Sequence, residues 1–160
     1  MIEIQSPNAF RDKQGVKVFL GGSIEMGKAI DWQKSLVKDL DDEPIIILNP
    51  RRKDWDASWE QSIKNKNFRK QVEWELNALD AADIVVFYFD PNTMSPITLL
   101  ELGIQAEQAQ FQSDKSVIVC CPDGYWRKGN VEIVCKRYGI KLVKDYDALL
   151  KAIKKTIARY

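Results

Sequence analysis

One carboxylate stands out as a candidate for chemistry because its sequence neighbours are apolar. Glu101 lies in the stretch Asp90–Gly103, between leucines at positions 99, 100 and 102 and an isoleucine at 104. The stretch follows an apolar strand and opens a helix, with Ser95 as the expected N-cap and Pro96 at the first helical position. Ligands of open parallel α/β sheets bind beyond the carboxyl ends of the strands. We therefore hypothesise that Glu101 is a nucleophile; the alternative is an ordinary helix acid.

The absence of histidine limits the chemistry available to the chain. Ser-His-Asp and Cys-His arrangements and histidine general bases are excluded. Catalysis must use carboxylates, tyrosine, lysine, cysteine or an activated water. The three cysteines are Cys120, Cys121 and Cys135, and their spacing does not match a zinc site. We expect reduced thiols in the core and no metal.

Length and composition predict a single α/β domain over residues 16–160, preceded by an N-terminal arm or edge strand over residues 1–15. The 160 residues are 45% hydrophobic and 29% charged, and the net charge is +1. This balance favours neither nucleic acid nor a membrane as a partner. No signal peptide or membrane-spanning stretch is visible, so we expect a cytoplasmic protein.

Apolar strands alternate with amphipathic helices along the chain. The predicted strands cover residues 16–20, 44–48, 83–89, 116–121 and 141–143. The main predicted helices cover residues 67–82, 95–111 and 146–157, and another starts at Gly129 or Asn130 and runs to about Tyr138. A further helix carries Ile30, Trp32, Leu36, Val37 and Leu40. This alternation predicts right-handed crossovers between parallel strands. The expected architecture is a doubly wound five-stranded parallel sheet in the order 2-1-3-4-5.

Three separate segments should meet at the carboxyl edge of this sheet. They are the glycine turn Gly21-Gly22-Ser23, the loop that follows Asn49, and the stretch Asp90–Glu101. The glycines would let a ligand approach the backbone, and the helix that follows would accept an anion or a hydroxyl group; the alternative is a tight turn without a ligand. Trp55 would stack on a planar ligand, or else cover an edge of the core together with Trp59.

The carboxylates of this cleft suggest glycosyl transfer. That reaction uses two carboxyl groups, one attacking the anomeric carbon and one exchanging a proton with the leaving group and the acceptor. Apolar packing around Glu101 fixes its rotamer and raises its pKa, so hydroxyl or N–H groups should lie nearby.

At this point the sequence resembles the nucleoside 2-deoxyribosyltransferase family over roughly residues 16–135. The resemblance rests on four segments: Phe19-Leu20-Gly21-Gly22-Ser23-Ile24, Asn49-Pro50-Arg51-Arg52, the step from Trp74-Glu75-Leu76 to Ala82-Asp83-Ile84, and Ser95-Pro96-Ile97-Thr98-Leu99-Leu100-Glu101-Leu102-Gly103. It implies a flavodoxin-like fold and an exchange of nucleobases on a 2-deoxyribosyl group with retention, as in purine and pyrimidine salvage. A deoxynucleoside and a free nucleobase would be the substrates, and no cofactor would be needed.

The resemblance also implies roles for individual residues. Glu101 would be the nucleophile, and Glu75 the acid near the base, where better-known members have aspartate; the alternative for Glu75 is a solvated helix charge. Asn130 would reach the sugar hydroxyls of a neighbouring subunit, which implies a homo-oligomer; its alternative role is a helix N-cap.

Two positions differ from the family pattern. Ser95 stands where some members carry another acid, and Phe19 stands where several have a tyrosine. Tyr125 or another hydroxyl group would have to replace that tyrosine.

Three functions remain open on the sequence alone. The first is deoxyribosyl transfer. The second is an N-glycoside hydrolase acting on deoxynucleosides or on deoxynucleoside 5′-monophosphates, with Ser23 and Ser95 near the phosphate. The third is a nucleotide-binding or sensor domain without activity. The glycine turn contains no lysine or arginine, which favours an unphosphorylated substrate.

Overall fold

The computed structural model describes residues 1–24, 29–52, 55–56 and 58–160. Over these residues, six strands form one parallel sheet in the order β1-β3-β2-β4-β5-β6. The strands are β1 (Ile2–Gln5), β2 (Val16–Gly22), β3 (Ile45–Asn49), β4 (Ile84–Tyr88), β5 (Ser116–Cys120) and β6 (Lys141–Val143). The central strands are buried on both faces, which explains their continuous apolar sequences.

The predicted parallel α/β architecture is confirmed, but the predicted five-stranded sheet is wrong in strand count and in full order. The additional strand is β1, which pairs with the outer side of β3. The five predicted strands correspond to β2 through β6, and they keep the neighbours expected from the order 2-1-3-4-5. The extra strand forms because β3 would otherwise present an unpaired backbone edge.

Five helices cover the two faces of the sheet in the described part of the chain. They are α1 (Trp32–Asp39), α2 (Lys66–Ala81), α3 (Pro96–Gln108), α4 (Lys128–Arg137) and α5 (Tyr146–Ile157). One apolar cluster contains side chains of α2, α3 and α4, among them Trp74, Leu102 and Val131. The other contains side chains of α1 and α5, among them Leu36 and Ile153. Helices α2 and α3 therefore lie on the same face of the sheet. None of the helices seen in the described ranges combines the length and apolarity needed to cross a bilayer.

The N-terminus of α1, the first helix within the described residues, is already capped by a carboxylate. Helix α1 begins at Trp32, and the Asp31 side chain accepts a hydrogen bond from the backbone N–H of Lys34. A carboxylate thus already occupies the N-terminus where we expected an anion to bind. Residues 25–28 lie outside the described residues.

Gly21 and Gly22 are the last two residues of strand β2 rather than a free turn. A Cβ atom on Gly21 would lie 2.7 Å from the ring of Phe87. A Cβ atom on Gly22, whose φ is +153°, would lie 2.5 Å from the carbonyl oxygen of Tyr88 and 2.8 Å from the ring of Trp32. Both glycines are therefore explained by the close approach of protein atoms, because no side chain fits at either position.

We predict that Gly22→Ala destabilises the protein by about 3 kcal/mol or more, because the new methyl group meets the backbone of β4 in a backbone conformation that strains alanine. Gly103→Ala is the matched control. Gly103 lies inside α3 with nothing within 4 Å of an added Cβ, so this change should stabilise the protein by about 0.5–1 kcal/mol. Urea unfolding of both variants measures the difference. Equal effects of the two substitutions would contradict the packing explanation.

Candidate active site

Two glutamates from adjacent helices come together on one face of the sheet. Glu75 lies on α2, which precedes β4, and Glu101 lies on α3, which follows β4. Only 8% of the Glu101 surface is exposed, and Glu75 is half-buried. A hydrogen bond joins the two helices, from the Gln108 amide to the Asp80 carboxylate at 3.4 Å. The pairing of the two acids follows from the topology, since both helices pack beside the strand that connects them.

Both carboxyl groups hold their protons more tightly than an exposed glutamate. Burial raises the pKa of Glu101 to about 8, and the charge of Glu75 contributes to this rise. Burial also raises the pKa of Glu75 to about 7, against the opposing effect of a hydrogen bond from the Gln71 amide. The charge of an ionised Glu75 disfavours a second charge on Glu101, so the second ionisation is harder than the first. At a pH between these two values the pair therefore carries about one proton, and the higher pKa of Glu101 places that proton mostly on Glu101.

Three buried hydroxyl groups form a cluster at the carboxyl ends of β2 and β4. The Ser23 Oγ atom lies 2.5 Å from the Ser95 Oγ atom and 2.8 Å from the Thr93 Oγ1 atom. Thr93 Oγ1 and Ser95 Oγ are also 2.8 Å apart. The backbone N–H of Asp90 donates to Ser23 Oγ at 2.9 Å. The cluster joins the segment after β2 to the segment after β4, as expected for Ser23 and Ser95.

The prediction that Ser95 is the N-cap residue of α3 is confirmed, although its side chain does not make the capping hydrogen bond. It occupies the N-cap position in a left-handed conformation with φ 47° and makes no side-chain cap hydrogen bond. Its hydroxyl group contacts the hydroxyls of Ser23 and Thr93 instead. A strained backbone at a non-glycine residue beside a sheet edge is typical of functional sites.

Asn49 and Trp55 lie at or after the carboxyl end of β3. The buried Asn49 side chain donates to the Glu3 carboxylate at 2.8 Å and accepts from the Arg51 N–H at 3.0 Å. It therefore fixes the start of the loop. The half-buried Trp55 ring meets the Trp59 ring edge-on, with centroids 5.2 Å apart. Residues 53, 54 and 57 of this loop lie outside the described residues.

Phe19 and Tyr125 are held within the protein core. The Phe19 ring is fully buried in the cluster beneath α2 and α3, so it exposes no surface to a ligand. Tyr125 packs at a tilt against Phe89, and its hydroxyl group donates to the carbonyl of Met94 at 2.7 Å. The Tyr125 hydroxyl thereby supports the segment that leads into α3.

Asn130 lies inside α4, so its alternative role as an N-cap is wrong. The helix begins at Lys128, and Arg127 occupies the N-cap position. The Asn130 side chain is exposed in the first turn.

Two cavities of the described structure lie away from Glu101. One, of about 420 Å³, is bounded by the segment Pro7–Asp12 together with Trp74 and Asn77. The other, of about 240 Å³, lies beside Trp32 and Tyr146. Cavity size does not identify the candidate site here, whereas the buried carboxylate pair does.

Sequence reasoning missed two residues that shape the site. Thr93 completes the hydroxyl cluster, and Gln71 donates to Glu75 Oε1 at 2.8 Å. The position of Gln71 four residues before Glu75 was a usable signal, because side chains at that spacing meet on a helix. Thr93 had no comparable signal, since its partner Ser23 lies 70 residues away.

A family model described as nucleoside 2-deoxyribosyltransferase like matches residues 15–125. The match confirms the family indicated by the sequence motifs. No curated protein matches the chain. A crystal structure of a conserved protein from Enterococcus faecalis V583 is similar in fold, with a TM-score of 0.61 and 14% sequence identity, over 88% of this chain and 98% of that one.

Proposed function

Because the chain belongs to the nucleoside 2-deoxyribosyltransferase-like family, we propose that it transfers a 2-deoxyribosyl group between nucleobases. The observation that carries this proposal is the buried pair of Glu75 and Glu101, whose raised pKa values leave about one proton between them near neutral pH. A covalent glycosyl transfer requires one ionised and one protonated carboxyl group. The substrates are a deoxynucleoside and a free nucleobase.

In the first step, the proton that rests mostly on Glu101 passes to Glu75 when the substrate binds, and the resulting Glu101 carboxylate attacks C1′ of the deoxynucleoside. A bond forms between a Glu101 oxygen and C1′ while the N-glycosidic bond breaks, and its electron pair leaves with the base nitrogen. Glu75, in its protonated form, gives its proton to the departing base. The product is a deoxyribosyl ester of Glu101 together with an ionised Glu75.

In the second step, the incoming base replaces the ester. The Glu75 carboxylate takes a proton from the N–H of the incoming base, and the base nitrogen attacks C1′. The Glu101 carboxylate leaves with the electron pair of the ester bond. Two inversions at C1′ give overall retention. The cycle is balanced without a metal or an organic cofactor.

The surrounding residues support this chemistry in different ways. Ser23 and Ser95 lie at the carboxyl edge of the sheet, where their hydroxyl cluster would border the sugar. Trp55 is the aromatic surface for the base, and Asn49 holds the loop that carries it. Phe19, Gly21 and Gly22 act by packing beneath the site. Asn130 would contribute to the site of a neighbouring subunit in a homo-oligomer.

One assay tests the proposal against its alternatives. The protein is incubated with deoxyadenosine and an excess of cytosine, and the products are resolved by chromatography. We expect deoxycytidine and adenine in equal amounts. Adenine without deoxycytidine would indicate an N-glycoside hydrolase, in which water is the acceptor, instead of a transferase. Deoxyadenosine 5′-monophosphate should then be compared with deoxyadenosine as a substrate. No product from either compound would contradict an enzymatic role on deoxynucleosides.

A further inference from the structure

Gln71 is the buried amide at the centre of the contacts behind Glu75. It lies on α2 one turn before Glu75, and 2% of its surface is exposed. Its Nε2 atom donates to Glu75 Oε1 at 2.8 Å and to the carbonyl of Pro50 at 3.1 Å. Its Oε1 atom accepts from Ser6 Oγ at 2.6 Å and from Arg52 Nη1 at 3.4 Å.

These four contacts use the hydrogen-bonding capacity of the Gln71 amide completely. An amide has two N–H donors and two acceptor positions, and each has a partner here. The opposite orientation would place the amide oxygen against the Pro50 carbonyl and the Glu75 carboxylate, and the NH₂ group against the Arg52 guanidinium. The contacts therefore permit a single orientation of the amide. Because every donor and acceptor position of the amide already has a protein partner, Gln71 acts on Glu75 and not on a ligand.

The partners of Gln71 come from three different parts of the chain. Ser6 follows β1, Pro50 and Arg52 follow β3, and Glu75 lies on α2 itself. The backbone N–H of Ser6 also donates to the carbonyl of Asn49 at 3.1 Å, which ties the end of β1 to the end of β3. The Gln71 amide thus links the pairing of edge strand β1 with β3 to the position of the Glu75 carboxyl group.

We propose that Gln71 is a positioning residue that orients the Glu75 carboxyl group towards Glu101, and that Ser6 anchors it. This inference rests on the proposed function, in which Glu75 exchanges a proton with the base. It gives β1 a functional role, since the strand delivers the Ser6 hydroxyl. Among the described residues, two charged groups face Glu75. They are Glu101 on α3 and Arg52 on the loop after β3, and Arg52 is connected to Glu75 by hydrogen bonds through Gln71. Because the Gln71 hydrogen bond lowers the pKa of Glu75, its removal should raise that pKa.

The test replaces Gln71 by methionine, which has a similar length and cannot make these hydrogen bonds. In the full-length protein with Gln71→Met, the Glu75 carboxyl group should titrate at higher pH, as followed by NMR of ¹³C-labelled glutamate and assigned with Glu75→Gln. The limb of the kcat/KM profile that belongs to Glu75 should move in the same direction. We expect kcat to fall about tenfold, the usual effect of one lost hydrogen bond to a charged group, with KM nearly unchanged.

A second variant and a control separate positioning from general destabilisation. Ser6→Ala removes the anchor and keeps the amide, so it should shift the Glu75 titration in the same direction by less, and it decides the question if Gln71→Met does not fold. Asn77→Ala is the control: Asn77 lies on α2 and accepts a hydrogen bond from Arg11 at 2.6 Å, which is another tie to the N-terminal segment. It should leave the Glu75 titration unchanged.

Two results would overturn the inference. One is a Glu75 titration in folded Gln71→Met or Ser6→Ala that does not differ from that of the wild-type protein. The other is a shift of the Glu75 titration in Asn77→Ala that is as large as the shift in Gln71→Met. The titration does not depend on turnover, so the inference and the proposed function fail separately. If the wild-type protein does not transfer deoxyribosyl groups, the proposed reaction is wrong. A shifted Glu75 titration in Gln71→Met would still show that Gln71 controls the pKa of Glu75.

Discussion

Glu101→Gln should lower deoxyribosyl transfer by at least about a thousandfold, because the amide cannot form the glycosyl ester. Glutamine preserves the shape of the side chain in its buried position, so the fold should persist. The measurement is the initial rate of deoxycytidine formation from deoxyadenosine and cytosine. Quenching the wild-type reaction during turnover should add the mass of one deoxyribosyl unit to the peptide that contains Glu101.

Glu107→Gln is the matched control for this prediction. Glu107 lies on the same helix and is exposed, so its substitution should leave the rate within about twofold, as is usual for surface positions. Retention of the wild-type rate in folded Glu101→Gln would remove Glu101 from the mechanism. A fully active wild-type enzyme without the deoxyribosyl adduct would instead favour direct displacement by the incoming base.

The same Glu101→Gln substitution should make the protein more stable at alkaline pH. The pKa of Glu101 is about 8 in the folded protein and near the ordinary value of about 4.3 in the unfolded chain. Between these values the folded state binds more protons than the unfolded state, so the free energy of unfolding decreases as the pH rises. Glutamine does not ionise and avoids this loss. We expect a gain of roughly 3–5 kcal/mol at pH 9 and about 1 kcal/mol at pH 5, where the folded state keeps the proton and the unfolded chain has largely lost it.

Urea unfolding at pH 5, 7 and 9 checks this prediction, with Glu107→Gln again as the control. The difference between wild type and Glu101→Gln should grow steadily across the series. A difference that is equal at pH 5 and pH 9 would show that the substitution acts through packing rather than through ionisation.

Together the two predictions describe Glu101 as a residue that supports the reaction but destabilises the folded protein at alkaline pH. A buried carboxylate beside a second acid destabilises the folded state at the pH where it would act as a nucleophile. A substitution that removes activity and adds stability is typical of catalytic positions. A glutamate whose charge is stabilised by paired partners would show the opposite stability result, since its removal would leave those partners unpaired and destabilise the protein.

Much of the fold follows from local patterns that the sequence displays directly. The apolar spacing of Leu149, Ile153 and Ile157 predicts α5 with its observed bounds, and the apolar runs predict strands β2 to β6. Their parallel pairing follows because helices connect successive strands, and such crossovers are right-handed. Strand β1 was less definite, since residues 1–15 permitted an arm as well as an edge strand, and its pairing depends on the open side of β3.

The candidate nucleophile was also visible in the sequence, because a single acid among leucines is a local feature. Its partner was suggested by resemblance, since Glu75 and Glu101 are 26 residues apart along the chain. Which acids meet is decided when α2 and α3 pack on the same face of the sheet. The raised pKa values have the same origin, because burial and repulsion exist only in the folded protein.

The smaller contacts of the site depend entirely on tertiary structure. The hydroxyl groups of Ser23 and Ser95 meet across 72 residues of sequence, and Ser6 reaches Gln71 across 65. Hydrogen bonds of this kind require positions accurate to a few tenths of an ångström, and no periodic pattern along the chain encodes them. Local propensity thus determines the strands, the helices and the exceptional glutamate, whereas the packing of distant segments decides how that glutamate is partnered and how tightly it holds its proton.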